Sequence, residues 1–206
     1  MKRRLIHLPL ILLLALLLAG CSEDSPTLQP LSRDAVILAF GDSLTRGNGA
    51  NADNSYPAVL ERLSGRRVIN AGVPGEHTPA GLARLAGVLE QYHPELLLLC
   101  HGGNDMLRRH AMEAMQSNLE QMVALARERG IQVVLLGVPR PAIFGLESAE
   151  PYYAVAKSAG IPLEDKIIPE VLSDNNLKSD QIHPNAEGYQ RIAEAVYRLL
   201  QQTGAL

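Results

Sequence analysis

Ser43, Asp180 and His183 are the residues of this chain whose types could do chemistry together. A serine hydroxyl is a weak nucleophile at neutral pH. It becomes a strong one when an imidazole takes its proton and a carboxylate holds the imidazole in place. Ser43 lies in Gly41-Asp42-Ser43-Leu44-Thr45-Arg46-Gly47, directly after an apolar run over 35–40. A buried strand ending in a glycine-flanked serine lifts the hydroxyl to the rim of a sheet. Asp180 and His183 stand near the other end of the chain, in Asp180-Gln181-Ile182-His183-Pro184. The chemistry these types imply is attack of an activated alcohol on an acyl carbon.

Such a trio needs a scaffold that brings the two chain ends together. Apolar runs alternate with helical patterns, the signature of a parallel sheet joined by crossover helices. Strands are expected over 35–40, 68–71, 96–100, 133–137 and 161–163, and helices over 56–63, 78–91, 111–129, 152–159 and 186–202. Met112, Met115, Leu119, Met122 and Ala126 recur at helical spacing, which reads as a core face rather than a lipid groove. The stretch 138–148, with Pro139, Pro141 and Gly145, reads as irregular, and Ile143, Phe144 and Leu146 within 139–150 offer an apolar wall. The segment 165–180 reads as a loop.

In open parallel sheets, functional groups gather beyond the carboxyl ends of the strands. Ser43 follows the first strand, Gly75 the second, and Gly102-Gly103-Asn104-Asp105 the third. Asp180 and His183 follow the last strand and precede the final helix. The dipole at that helix start and the Asp180 carboxylate act on a charged His183 in opposite senses. Together they call for a base that is neutral at rest. Asp42 and Asp105 are expected to fix loops rather than react.

Gly41-Asp42-Ser43-Leu44, Asn70-Ala71-Gly72-Val73-Pro74-Gly75, Gly102-Gly103-Asn104-Asp105 and Asp180-Gln181-Ile182-His183-Pro184 resemble, in order, the blocks of the SGNH (GDSL) hydrolases. The branch they are most similar to is the bacterial thioesterase I/lysophospholipase L1/arylesterase group. The resemblance spans about residues 34–202. It implies an α/β fold, a three-layer αβα sandwich around a five-stranded, mostly parallel, flavodoxin-like sheet. It implies Ser43 as nucleophile, His183 as general base and Asp180 as its orienting partner. The oxyanion hole would be the N–H of Ser43, the N–H of Gly75 and the side-chain amide of Asn104. No cofactor is implied. Substrates of this branch are lysophospholipids, aryl or short and medium acyl esters, and thioesters. Two alternatives stand beside it: a carbohydrate O-acetylesterase acting on cell-wall or surface glycans, and a non-catalytic ligand-binding lipoprotein.

The chain start carries a separate signal. Lys2, Arg3 and Arg4 precede a short apolar stretch that ends in Leu18-Ala19-Gly20-Cys21. This pattern is a secretory signal over 1–20, and its ending resembles a bacterial lipobox. Cleavage before Cys21 and lipid on that cysteine are implied, followed by a tether over 21–33 and a hydrolase domain over 34–206. Ser22 after the cysteine implies the outer membrane, facing the periplasm. Acyl-CoA is scarce there, which favours oxygen esters over thioesters. Without the three leader cations, 16 basic residues face 22 acidic ones, a formal charge of −6. A chain this acidic is not expected to bind nucleic acid. Cys100, at the end of a leucine run, is expected in the core. A Cys21–Cys100 disulfide is the alternative, against which the lipobox argues. His77, His101 and His110 invite a metal reading but lack paired ligand spacing, so no metal is expected.

Overall fold

The computed structural model describes residues 26–142 and 145–206. The signal segment, Cys21, Ile143 and Phe144 lie outside the described residues. The strands are β1 (Val36–Gly41), β2 (Arg67–Gly72), β3 (Leu96–Cys100), β4 (Gln132–Leu136), β5 (Pro139–Ala142), β6 (Gly145–Ser148) and β7 (Leu163–Glu164). The helices are α1 (Ser43–Arg46), α2 (Tyr56–Ser64), α3 (Thr78–Tyr92), α4 (Gly103–Leu107), α5 (Met112–Arg127), α6 (Glu150–Ala159), α7 (Ile167–Ser173) and α8 (Ala186–Gln202).

Every residue of β3 is buried. A strand that is apolar at each position must be covered on both faces. β3 accordingly lies at the centre of a five-stranded parallel sheet of order β2-β1-β3-β4-β7. The helices pack as two groups, α2–α8–α7 and α3–α5–α6. The first crossover moves from β1 outward to β2, and the later ones move the opposite way. Right-handed crossovers therefore place α2 on one face and α3, α5 and α6 on the other. The direction reverses between β1 and β3, and the crevice at such a reversal is where open α/β sheets bind ligands. The expected three-layer α/β architecture is the one found.

Met115, Leu119, Met122 and Ala126 are buried, as a core face requires. Cys100 is buried and, among the described residues, free. Several expectations are corrected. The expected irregular stretch contains an antiparallel ribbon, β5–β6, pairing Pro139 with Ser148 and Pro141 with Leu146. Two prolines spaced two apart share one parity, so both missing N–H groups can face away from the partner strand. The segment 165–180 holds α7 and a 3₁₀ turn, Asn175–Leu177. Ile167, Ile168, Val171 and Leu172 are buried there, too short a run to stand out as helical. α6 starts at Glu150, and the last strand is Leu163–Glu164.

The described part of the expected tether is docked. Leu28 N–H donates to Thr203 O at 2.8 Å and Leu31 N–H to Ala205 O at 2.9 Å. Gln29 exchanges bonds with the Gln132 side chain, and Ser32 bonds Glu95. Leu31 is buried. The folded unit thus begins near Leu28 rather than at Asp34. Of these anchors, Glu95 and Gln132 lie at the starts of β3 and β4, the opposite edge from the strand ends that carry Ser43 and Asn104.

Leu98→Ala in β3 should lower the unfolding free energy by about 2–5 kcal/mol in urea titrations, through lost burial plus a cavity that the sheet cannot close.

Candidate active site

Each functional group is placed by a local rule. Gly41 ends β1 beside Cys100, and a Cβ there would collide with the Cys100 carbonyl and Thr45 Oγ1. The chain then enters α1, which Asp42 caps by accepting the Leu44 N–H at 3.0 Å. Asp42 is buried, and burial pushes its carboxyl up. Ser43 opens α1, so its N–H has no intrahelical partner. It donates to no protein acceptor among the described residues.

Val73-Pro74-Gly75-Glu76 form a turn closed by Glu76 N–H to Val73 O at 3.2 Å. Proline suits its second position, and Gly75, with φ +77°, its third. A left-handed backbone there explains the glycine. The space beside it is open, and its N–H also donates to no protein acceptor among the described residues. Asn104 lies in α4, just past β3. Its amide donates to Glu76 O at 3.0 Å and to Asp42 Oδ2 at 3.3 Å. An oxyanion would take the place of the longer bond. Two unspent backbone donors and one side-chain amide thus hang from three adjacent strand ends.

The imidazole beside Ser43 comes from the far end of the chain. Ser179 N–H to His183 O closes a turn at 2.9 Å, just before Asn185 caps α8. Asp180 divides its carboxylate. Oδ1 accepts the N–H groups of Ile182 and His183 at 2.8 and 2.9 Å. Oδ2 lies 2.8 Å from His183 Nδ1. His183 Nε2 lies 3.0 Å from Ser43 Oγ. With Nδ1–H donating to Asp180, Nε2 is free to take the serine proton. The hydrogen bond from His183, then that from Ile182 N–H, holds the Asp180 carboxyl below its usual range. The structure brings Ser43, Asp180 and His183 together as the sequence requires. Asp42 and Asp105 fix loops, the latter by accepting from Thr78 N–H and Oγ1.

Sequence reasoning missed the network that fixes the rim. Glu76, next to Gly75, accepts from Arg84 Nε at 2.7 Å and faces His101 Nε2 at 3.0 Å. His101 Nδ1 accepts the Gly102 N–H, so Nε2 carries the proton that Glu76 receives. Arg84 Nη2 also donates to Ala71 O and Gly41 O, and its guanidinium covers the Phe40 ring at 3.9 Å. Burial pushes the Glu76 carboxyl up, but the hydrogen bonds from His101 and Arg84 outweigh it and the net shift is downward. Nothing in the spacing of these three residues marks them as partners. His77 and His110 do meet, with ring centroids 4.9 Å apart, while His101 belongs to the Glu76 network instead.

A cleft of about 420 Å³ opens at Ser43 and Asn104. Leu44, Met106, Val138, Leu146 and Leu172 line it, with the exposed Leu107 and Ile182 at its mouth. Of the expected apolar wall, Leu146 is in place. Arg109 and Arg140 also border the cleft, and Arg140 is paired with Glu147 at 3.0 Å. Arg108-Arg109-His110 follow the end of α4, and all three are exposed.

A serine, an imidazole and a carboxylate joined in one hydrogen-bonded series, with N–H donors at neighbouring strand ends, are what a serine esterase requires. The chain belongs to the GDSL-like lipase/acylhydrolase family, whose model matches residues 39–191. It is 32% identical over 196 residues to esterase TesA of Pseudomonas aeruginosa, covering 90% of this chain and 97% of the relative. It is 30% identical over 202 residues to thioesterase 1/protease 1/lysophospholipase L1 of Escherichia coli K12, covering 95% and 92%. The crystal structure of TesA superimposes with a TM-score of 0.73 at 31% identity, covering 82% of this chain and 99% of that one.

Asn104→Ala should lower kcat/KM for an activated ester by roughly 10²–10³-fold, with an unchanged circular dichroism spectrum. The lowered Glu76 carboxyl gives a stability signature. Its contribution is present above the unfolded value of about 4.3 and is lost as pH falls through the lower folded value. Urea midpoints should therefore fall as pH drops below about 4, and Glu76→Gln should flatten that decline.

Proposed function

We propose that this esterase hydrolyses oxygen esters of apolar acyl chains, lysophospholipids among them, from a lipid anchor on Cys21 in the bacterial envelope. Ser43 Oγ attacks the acyl carbon while His183 Nε2 takes its proton. The oxyanion is held by the N–H groups of Ser43 and Gly75 and by the Asn104 amide. His183 then protonates the leaving alcohol, and water, activated by the same imidazole, releases the acid.

The observation that carries the substrate class is the apolar cleft beside Ser43, with Leu107 and Ile182 exposed at its mouth. The relatives, an esterase and a thioesterase/protease/lysophospholipase by name, favour the same reading. An acetyl group would leave most of such walls uncovered, which argues against the carbohydrate O-acetylesterase. Leu18-Ala19-Gly20-Cys21 and Ser22 support the anchor and the outer membrane facing the periplasm. Six residues separate Cys21 from the docked Leu28, seven Cα-to-Cα steps with a reach of at most about 25 Å. Leu28 docks at the edge opposite the catalytic rim, so the cleft would open away from the anchor. Esters would then arrive from the aqueous side.

The test is a panel of p-nitrophenyl esters from acetate to dodecanoate, a lysophospholipid, acyl-CoA and an acetylated sugar. kcat/KM should rise with chain length beyond acetate, exceed that for acyl-CoA, and lose part of the rise in Leu146→Ala. Preference for the acetylated sugar would overturn the substrate class. Globomycin-sensitive processing and loss of membrane association in Cys21→Ala test the anchor.

A further inference from the structure

His77, Asp105 and His110 each bring one ligand atom to a common point, all within 4.8 Å of one another. We infer that they form a site for a divalent transition ion of the zinc type, beside the catalytic rim but separate from the triad.

The donor set is two imidazoles and a carboxylate, which suits zinc with water as fourth ligand. His110 Nδ1 stands 3.8 Å from Asp105 Oδ1. That is too long for a hydrogen bond. It is close to the ~3.4 Å that separates two ligands of a tetrahedral ion with bonds of about 2.1 Å. His77 buries Nδ1 with no hydrogen-bond partner. Buried polar atoms are rarely left so, and an ion is one way to satisfy one. His110 is half-exposed and can close the remaining distance without disturbing the core.

The surroundings are built to hold the ligands. Thr78 N–H and Oγ1 each donate to one Asp105 oxygen, and Asn118 donates in turn to Thr78 Oγ1. Each carboxylate oxygen keeps a lone pair, and its orientation is fixed by outer hydrogen bonds, as is usual for ligating carboxylates. His110 is brought back over Asp105 by the end of α4. Arg109 N–H bonds Met106 O and His110 N–H bonds Asp105 O, with Arg109 at φ +58°. Glycine normally takes that left-handed position. A bulky residue held there costs strain and marks a segment whose path is specified. The ion would tie the segment after Gly75 to the helix carrying Asn104, and so brace two oxyanion donors.

The test uses the purified full chain without a histidine tag, titrated with ZnCl₂ by calorimetry and melted with and without the metal. Co²⁺ absorption reports ligand geometry. Binding of one equivalent, a raised Tm and tetrahedral d–d bands are expected. All should persist in His183→Ala, and His110→Ala should weaken binding at least about tenfold while keeping the native circular dichroism. Absence of binding, or binding unchanged in His110→Ala and in His77→Ala, would overturn the site. So would binding lost only in His183→Ala, which would place the ion on the triad.

Discussion

The carboxylate of Glu76 is the group on which the catalytic rim depends. Arg84 and His101 both end on it, and Arg84 reaches on to the carbonyls of Gly41 and Ala71. The ends of β1, β2 and β3 are thereby fixed to one another by a single charged knot. Ser43 lies two residues beyond Gly41, Gly75 adjoins Glu76, and Asn104 lies three residues beyond His101. Backbone donors mounted this way, on Ser43 and Gly75, would be held in place as an acyl oxygen becomes charged, and such preorganisation is usually the largest source of stabilisation in acyl-transfer sites. Without the carboxylate, Arg84 would keep a partly buried charge, and His101 a buried N–H, with nothing to receive them.

The candidate catalytic groups come from the two ends of the chain. Ser43, Gly75 and Asn104 follow the first three strands, at the reversal between β1 and β3. His183 comes from a short turn in front of α8, where Asp180 is half-exposed. Asp180 keeps that turn in order by spending one oxygen on two backbone N–H groups and the other on His183. The imidazole is thus held by the same carboxylate that shapes its own loop. Asp42 serves the other side similarly, capping α1 while it receives the Asn104 amide.

The parts that could be read from the sequence are those with a local signature. The five strands and the long helices show as apolar runs and helical periods. Pro74-Gly75 announces the turn that its backbone adopts. Ser43, Asn104, Asp180 and His183 announce themselves because strand ends converge on one edge. The unread parts are pairings across distance. Arg84 and Glu76 are ordinary surface types until the fold buries them, and His77 and His110 meet only because Arg109 turns the chain back. The β5–β6 ribbon was hidden by its prolines, whose missing N–H groups argue against a strand unless parity places both on the unpaired side. The docking of Leu28–Ser32 was hidden by a polar, proline-flanked composition that reads as a linker.

The central claim is that Ser43 is the nucleophile and that His183 activates it. A fluorophosphonate probe, followed by intact-mass analysis and peptide mapping, measures this directly, because the reagent reports only an activated hydroxyl. One adduct per chain, on Ser43, is expected in the wild type, with labelling slowed to near background in His183→Ala and absent in Ser43→Ala. An adduct mapped to another residue, or undiminished labelling in His183→Ala, would contradict it.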